Sequence, residues 1–180
     1  MIHPKEARNR VGTGRMASLC LEDSVLIEGV GADLDENPRL IELLNNPGLW
    51  PCVLYPGPDA QPRVPRHAES RRPLVIVIDG TWHQARRMIG RSRLLKGLPR
   101  MGLNPVKPSD YRIREQPRRE CLSTIEAIHA VVEQESQTRE HDRLIEVFQW
   151  MVELQESCEE ARQSVGGVIR GERLRSGELA

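Results

Sequence analysis

The segment Pro73-Leu74-Val75-Ile76-Val77-Ile78-Asp79 constrains the fold most, because five consecutive aliphatic residues end abruptly in an acid. An unbroken apolar run of strand length fits a central parallel strand buried on both faces, where period-two alternation disappears. Gly80 then turns the chain, and the pattern from Trp82 to Ile89 reads as a helix. A strand that leads straight into a helix is half of a βαβ unit, so an α/β sheet is expected.

The rest of the chain repeats that alternation. Ser24 to Val30 reads as a strand, and so does Trp50 to Tyr55, which Pro56-Gly57-Pro58 stops. Asn37-Pro38 opens a helix with Asn37 as N-cap and Pro38 in the first position, and Leu40, Ile41, Leu43 and Leu44 form its apolar face. Residues 57–73 are rich in Pro and Arg without an apolar period and read as a surface loop. Short strands are expected near Met101–Leu103 and Asp110–Ile113, and helices over Ser123–Gln134 and Glu140–Gln163. In the last helix Leu144, Ile145, Val147, Phe148, Met151, Val152 and Leu154 make an apolar stripe. We therefore expect one α/β domain over residues 1–163, a mostly parallel sheet flanked by helices with helices at its C-terminal end, and a loose tail over 164–180.

Charge looks uninformative until it is resolved along the chain. Lys plus Arg equal Asp plus Glu at 26 each, yet the middle third holds 15 cations against 5 acids. An acidic third flanks it on either side, and 13 of its 15 cations are Arg. Such asymmetry points to an anionic partner. Mean hydropathy is −0.50, and no apolar run approaches the roughly 20 residues of a membrane span. The opening MIHPKEARNR has no apolar core, so no signal peptide and a cytoplasmic location are expected. Cys20, Cys52, Cys121 and Cys158 form no C-x-x-C pair, which argues against a zinc knuckle.

Ligands of open α/β sheets bind beyond the carboxyl ends of the strands, which is where Asp79 stands. A partly desolvated carboxylate there suits a general base. The alternative is that Asp79 caps the following helix. Ser123 with Glu126 has the spacing of a capping box, a sufficient structural account of both. Leu54-Tyr55-Pro56-Gly57, at the end of another strand, reads as a turn or as a wall for a flat ligand.

Asp79-Gly80-Thr81-Trp82 resembles the D-x-T-W signature of the DTW-domain family. His3-Pro4-Lys5-Glu6 with Gly12-Thr13-Gly14-Arg15 is similar to that family's H-P-x-E…N-T-G-R segment. Tyr111-Arg112-Ile113-Arg114, then Leu122-Ser123-Thr124-Ile125-Glu126-Ala127, is similar to its Y-x-[IL]-R…L-S-T-x-E-A segment. Three motifs in the right order over residues 3–127 are far more specific than any one of them.

The resemblance implies a SPOUT-like α/β fold, a class that includes trefoil-knotted sheets. It also implies a tRNA-uridine aminocarboxypropyltransferase that takes its group from S-adenosylmethionine and releases methylthioadenosine. Asp79 would be the base that deprotonates uridine N3. Leu54, Tyr55, Pro56, Thr81, Trp82, Ser123, Thr124 and Glu126 would hold the co-substrate. Arg15, Arg86, Arg87, Arg91, Arg112 and Arg114 would meet the tRNA, with His3 and, less directly, His83 as proton-transfer candidates. Arg63, Arg66, Arg71, Arg72, Arg93 and Lys96 would extend the basic surface around the site. With 6 aromatic residues in the chain, recognition should rest on tRNA shape and backbone rather than on stacking platforms. This chemistry needs no metal, and no membrane partner is expected. A SPOUT-type methyltransferase and a catalytically inactive RNA-binding module are the alternatives.

The chain departs from the pattern twice. Gly12 stands where the family has Asn, which removes a side-chain amide. Only Met1 and Ile2 precede the first motif, so the family's cysteine-rich segment and apolar strand are expected to be lacking, and with them a sheet edge or pocket wall.

Overall fold

The computed structural model describes residues 1–9, 11–63, 71–105, 107–112, 121–136 and 140–175, with 164–175 as backbone only. In chain order the elements are α1 (Pro4–Ala7), α2 (Thr13–Cys20), α3 (Ala32–Asp35), α4 (Pro38–Asn45), β1 (Leu49–Leu54), β2 (Arg72–Val77), α5 (Trp82–Arg91), α6 (Arg93–Lys96), β3 (Arg100–Met101), α7 (Thr124–Ser136) and α8 (Arg143–Arg175).

The three strands form an all-parallel sheet in the order β2-β1-β3. β1 and β2 pair along their full length, from Leu49 opposite Arg72 to Leu54 opposite Val77, and β3 pairs with Val53 and Leu54. Single parallel bridges widen the sheet at its carboxyl edge. Ile2 bridges both Asp79 and Glu28, and Gln61 bridges Met101. The expected strand over 24–30 is thus reduced to the bridge at Glu28, because among the described residues only Ile2 pairs with it. Met1 to His3 run between it and the end of β2.

Alternation along β1 separates two cores, since successive side chains point to opposite faces. Val53 joins Ile76, Leu40, Met88, Ile89 and Leu95 on the face covered by α4, α5 and α6. Cys52 joins Met101 and Val131 of α7 on the other. A third cluster of Ala17, Ile125, Leu144, Phe148, Met151 and Val152 ties α2, α7 and α8 together. The result is a sheet between two helical layers, as expected from the strand–helix alternation.

Local details follow the residues. Asn37 caps α4, accepting from the Leu40 N–H at 3.0 Å, with Pro38 in the first turn. Other expectations need correction. Only Ile76 of β2 is fully buried, because Met1 to His3 cover the strand's second edge at its end alone. Ile41, Val147 and Leu154 face solvent, since helices α4 and α8 are each covered on one side only. Asp110 to Arg112 form a turn, closed by the Arg112 N–H on the Asp110 carbonyl, rather than a strand; Ile113 lies outside the described residues. The last helix begins at Arg143 rather than at Glu140, and its backbone runs to Arg175.

Candidate active site

Asp79 stands at the carboxyl edge of the sheet, half-buried, and three other segments meet on its own. Its backbone is fixed by the chain's first residues: the Asp79 N–H donates to the Met1 carbonyl at 2.7 Å, and the His3 N–H donates to the Asp79 carbonyl at 3.0 Å. Its side chain is held from α7, where the Thr124 hydroxyl donates to Oδ1 at 2.7 Å. From α2 comes the buried Gly14. A Cβ at that position would lie 2.5 Å from Oδ2 and 2.6 Å from Cγ of Asp79, so only a hydrogen fits. The Met1 amino group donates to the Val77 carbonyl at 2.6 Å, and burial pushes its pKa down to about 6 against the opposing pull of the Asp79 carboxylate.

Asp79 is not the cap of α5. Thr81 takes that role in a full capping box, accepting from the Gln84 N–H at 3.2 Å while Gln84 Oε1 accepts from the Thr81 N–H at 2.6 Å. The Thr81 hydroxyl keeps its proton for donation elsewhere. Tyr55, beyond the end of β1, meets Trp82, at the start of α5, with ring centroids 5.9 Å apart and tilted by 54°. Trp82 is 41% exposed, so this pair offers aromatic surface at the carboxyl edge. The Arg100 guanidinium lies 5.8 Å from the Tyr55 ring, a cation the sequence reading did not single out. Leu54 packs inward beside Cys52 and Met101, and Pro56 is exposed.

These four segments are the three sequence motifs brought to one carboxylate. The family model of the DTW domain matches residues 1–156. The chain belongs to the DTW-domain family. It is 32% identical over 127 residues to tRNA-uridine aminocarboxypropyltransferase 2 of Drosophila melanogaster, a match covering 69% of this chain and 50% of the fly protein. It is 30% identical over 128 residues to the protein of that name from Macaca fascicularis, and 29% identical to the one from Mus musculus; each match covers 69% of this chain and 42% of the relative. The DTW chain thus spans about half the length or less of these curated relatives. No solved structure matches it.

Other motif residues of the DTW chain are engaged in holding the site together. Glu126 accepts from the Ser123 N–H and hydroxyl, the Ser109 hydroxyl and the Asp110 N–H, at 2.5–2.8 Å. Its carboxylate is therefore a clasp between α7 and residues 109–110, and Ser123 is buried against it. The Nδ1 of His3 accepts from the Lys5 N–H at 3.2 Å and caps α1, while His83 is exposed on α5. Of the arginines, Arg15 is exposed next to Gly14 and donates to the Ala7 carbonyl at 3.1 Å. Arg112 pairs with Glu156 of α8 at 3.3 Å. Arg86 and Arg87 are exposed along α5, and Arg91 lies at its far end beside Gly31, about 14 Å along the axis from Trp82. Arg66 and Arg114 lie outside the described residues.

Among the described residues, the cations of the basic third are divided between the two ends of the strands. Arg71 and Arg72 lie at the amino end of β2, about 23 Å from Asp79 at ~3.3 Å per residue. Arg71 covers the Trp50 ring and Arg72 pairs with Asp23. Arg93 and Lys96 follow α5 and lie beyond its distal end. Arg63 and Arg100 remain near the carboxyl edge, where Gln61 and Met101 pair. A cleft of about 380 Å³ opens there, lined by Arg63, Asn104, Ala130 and Gln134 among others. A second, of about 470 Å³, lies between Glu6 and Arg162. Asp79 lines neither. No helix among the described residues is long and apolar enough to cross a membrane.

Proposed function

We propose that the DTW chain transfers the 3-amino-3-carboxypropyl group of S-adenosylmethionine to N3 of a tRNA uridine. The observation that carries this reading is the convergence of all three family motifs on the Asp79 carboxylate. The names of the relatives supply the reaction class, and the site chemistry agrees with it.

Bound S-adenosylmethionine supplies an electrophilic carbon next to a sulfonium, which leaves as the neutral thioether methylthioadenosine. The uridine N3–H is a weakly acidic imide, and Asp79 accepts its proton as the new N–C bond forms and the C–S bond breaks. Thr124 and Gly14 restrict the rotation of that carboxylate, so the base is oriented before substrate arrives. The residues present fit the co-substrate: Tyr55 and Trp82 offer aromatic surface to adenine, and the first turn of α7 offers backbone N–H groups to a carboxylate. Among the basic residues, Arg15, Arg63, Arg86, Arg87 and Arg100 would meet phosphate from the carboxyl edge.

The test is incubation of the protein with S-adenosylmethionine and unmodified tRNA, followed by nucleoside mass spectrometry. The expected products are an aminocarboxypropyl-uridine and methylthioadenosine. Asp79→Asn should abolish transfer while leaving the fold and tRNA affinity nearly intact. A methylated nucleoside with S-adenosylhomocysteine would replace this reading with a methyltransferase, and no product with retained tRNA binding would leave an RNA-binding module.

A further inference from the structure

His129 and Glu133 lie one turn apart on the same face of α7 and meet Asp142, the residue before α8. One ligand atom from each lies within 4.8 Å of the others. His129 Nε2 and Asp142 Oδ1 are 3.1 Å apart. Two metal–ligand bonds of about 2.0–2.1 Å at the tetrahedral angle would separate their ligand atoms by about 3.3 Å. That pair therefore already has the spacing of one edge of a metal tetrahedron.

A plain His–Asp hydrogen bond accounts for two of the three residues. It does not account for Glu133, whose Oε1 is fully buried and has no hydrogen-bond partner among the described residues. A buried carboxylate oxygen without a donor carries a desolvation cost that a cation would remove. We infer that His129, Glu133 and Asp142 form a divalent-cation site of zinc type. One imidazole and two carboxylates balance a 2+ charge, and the imidazole disfavours the hard cations calcium and magnesium. Three protein ligands leave the fourth position to water. The site clamps α7 to the start of α8. It is separate from Asp79, and the inference does not depend on the proposed transferase activity.

The experiment uses untagged protein, stripped with chelator and dialysed against ZnCl2, with bound metal measured by elemental mass spectrometry. One zinc per chain is expected. At free zinc about a hundredfold above Kd, Tm should rise by about 5–10 °C. The variants His129→Gln with Glu133→Gln, and Asp142→Asn alone, should lower zinc affinity at least about tenfold and lose that rise. Asp79→Asn should keep both. The Asp142→Asn variant changes a half-exposed residue, so it reports even where the double variant fails to fold. Absence of stoichiometric zinc in the unaltered chain, or equal zinc binding by the variants through the exposed Cys20 and Cys158, would overturn the site.

Discussion

Replacing Gly14 by alanine tests whether Asp79 is held by shape. The added Cβ would sit 2.5 Å, 2.6 Å and 2.9 Å from Oδ2, Cγ and Cβ of Asp79, all shorter than tolerated carbon contacts. Either α2 retreats or the carboxylate rotates off Thr124. Overpacking of this kind costs about 1–3 kcal/mol, and a hydrogen bond to a charged group contributes about 1.5–3 kcal/mol. Against this stands the better helix propensity of alanine, at most about 1 kcal/mol. A net loss of roughly 2 kcal/mol is expected from urea unfolding. The decisive measurement is the double-mutant cycle with Asp79→Ala, which removes Oδ2 and Cγ and leaves the 2.9 Å contact to Cβ. In that background Gly14→Ala should cost about 1–2 kcal/mol less than in the unaltered chain, and that difference is the coupling. Additivity to within about 0.5 kcal/mol would refute the packing argument. On the proposed function, displacing the Asp79 carboxylate should also lower transfer about a hundredfold.

Other outcomes follow from the same geometry. Thr124→Val should lose most of the transfer activity at a stability cost of about 1 kcal/mol, while Thr124→Ser keeps both; equal loss in the two variants would show that the hydroxyl is irrelevant. Burial alone would raise the Asp35 pKa, but donation from the Ser92 hydroxyl, the Arg93 and Leu94 N–H groups and the Arg93 side chain holds it below its ordinary value of 3.8. A lowered folded pKa makes this contribution full above about pH 4 and lost as pH falls further, so the Tm gap between unaltered protein and Asp35→Ala should close in acid. Burial, followed by the charge of Glu135, pushes the Cys52 thiol up to about 11; with Cys121 buried too, a thiol reagent should modify Cys20 and Cys158 quickly and the other two only after unfolding. Arg100→Ala should weaken tRNA binding and flatten its salt dependence by about 0.9 in log–log slope. Arg72→Ala, at the opposite edge, should change neither.

The elements with strong local signals were legible in the residues. The apolar run before Asp79, the Asn37-Pro38 start and the Ser123–Glu126 spacing each led to the right element, because each depends on neighbours in sequence. The errors came from contacts between distant segments. Burial of β2 depends on Met1 and Ile2, whose pairing with Asp79 leaves no trace in either segment. The role of Gly14 depends on a carboxylate 65 residues away, and nothing in Gly12-Thr13-Gly14-Arg15 specifies that neighbour. Clustered arginines read as one surface because they are close in the chain. A strand followed by a returning helix instead distributes the described ones over both ends of the sheet.

The Glu126 clasp has a consequence for how this protein can vary. Residues 110 and 123 both hydrogen-bond to one carboxylate, so the intervening chain leaves and returns at a single point. Closing such an excursion costs entropy that rises only with the logarithm of its length, about 0.6 kcal/mol per doubling. Insertions or deletions between those two anchors should therefore leave Thr124 and Asp79 in register.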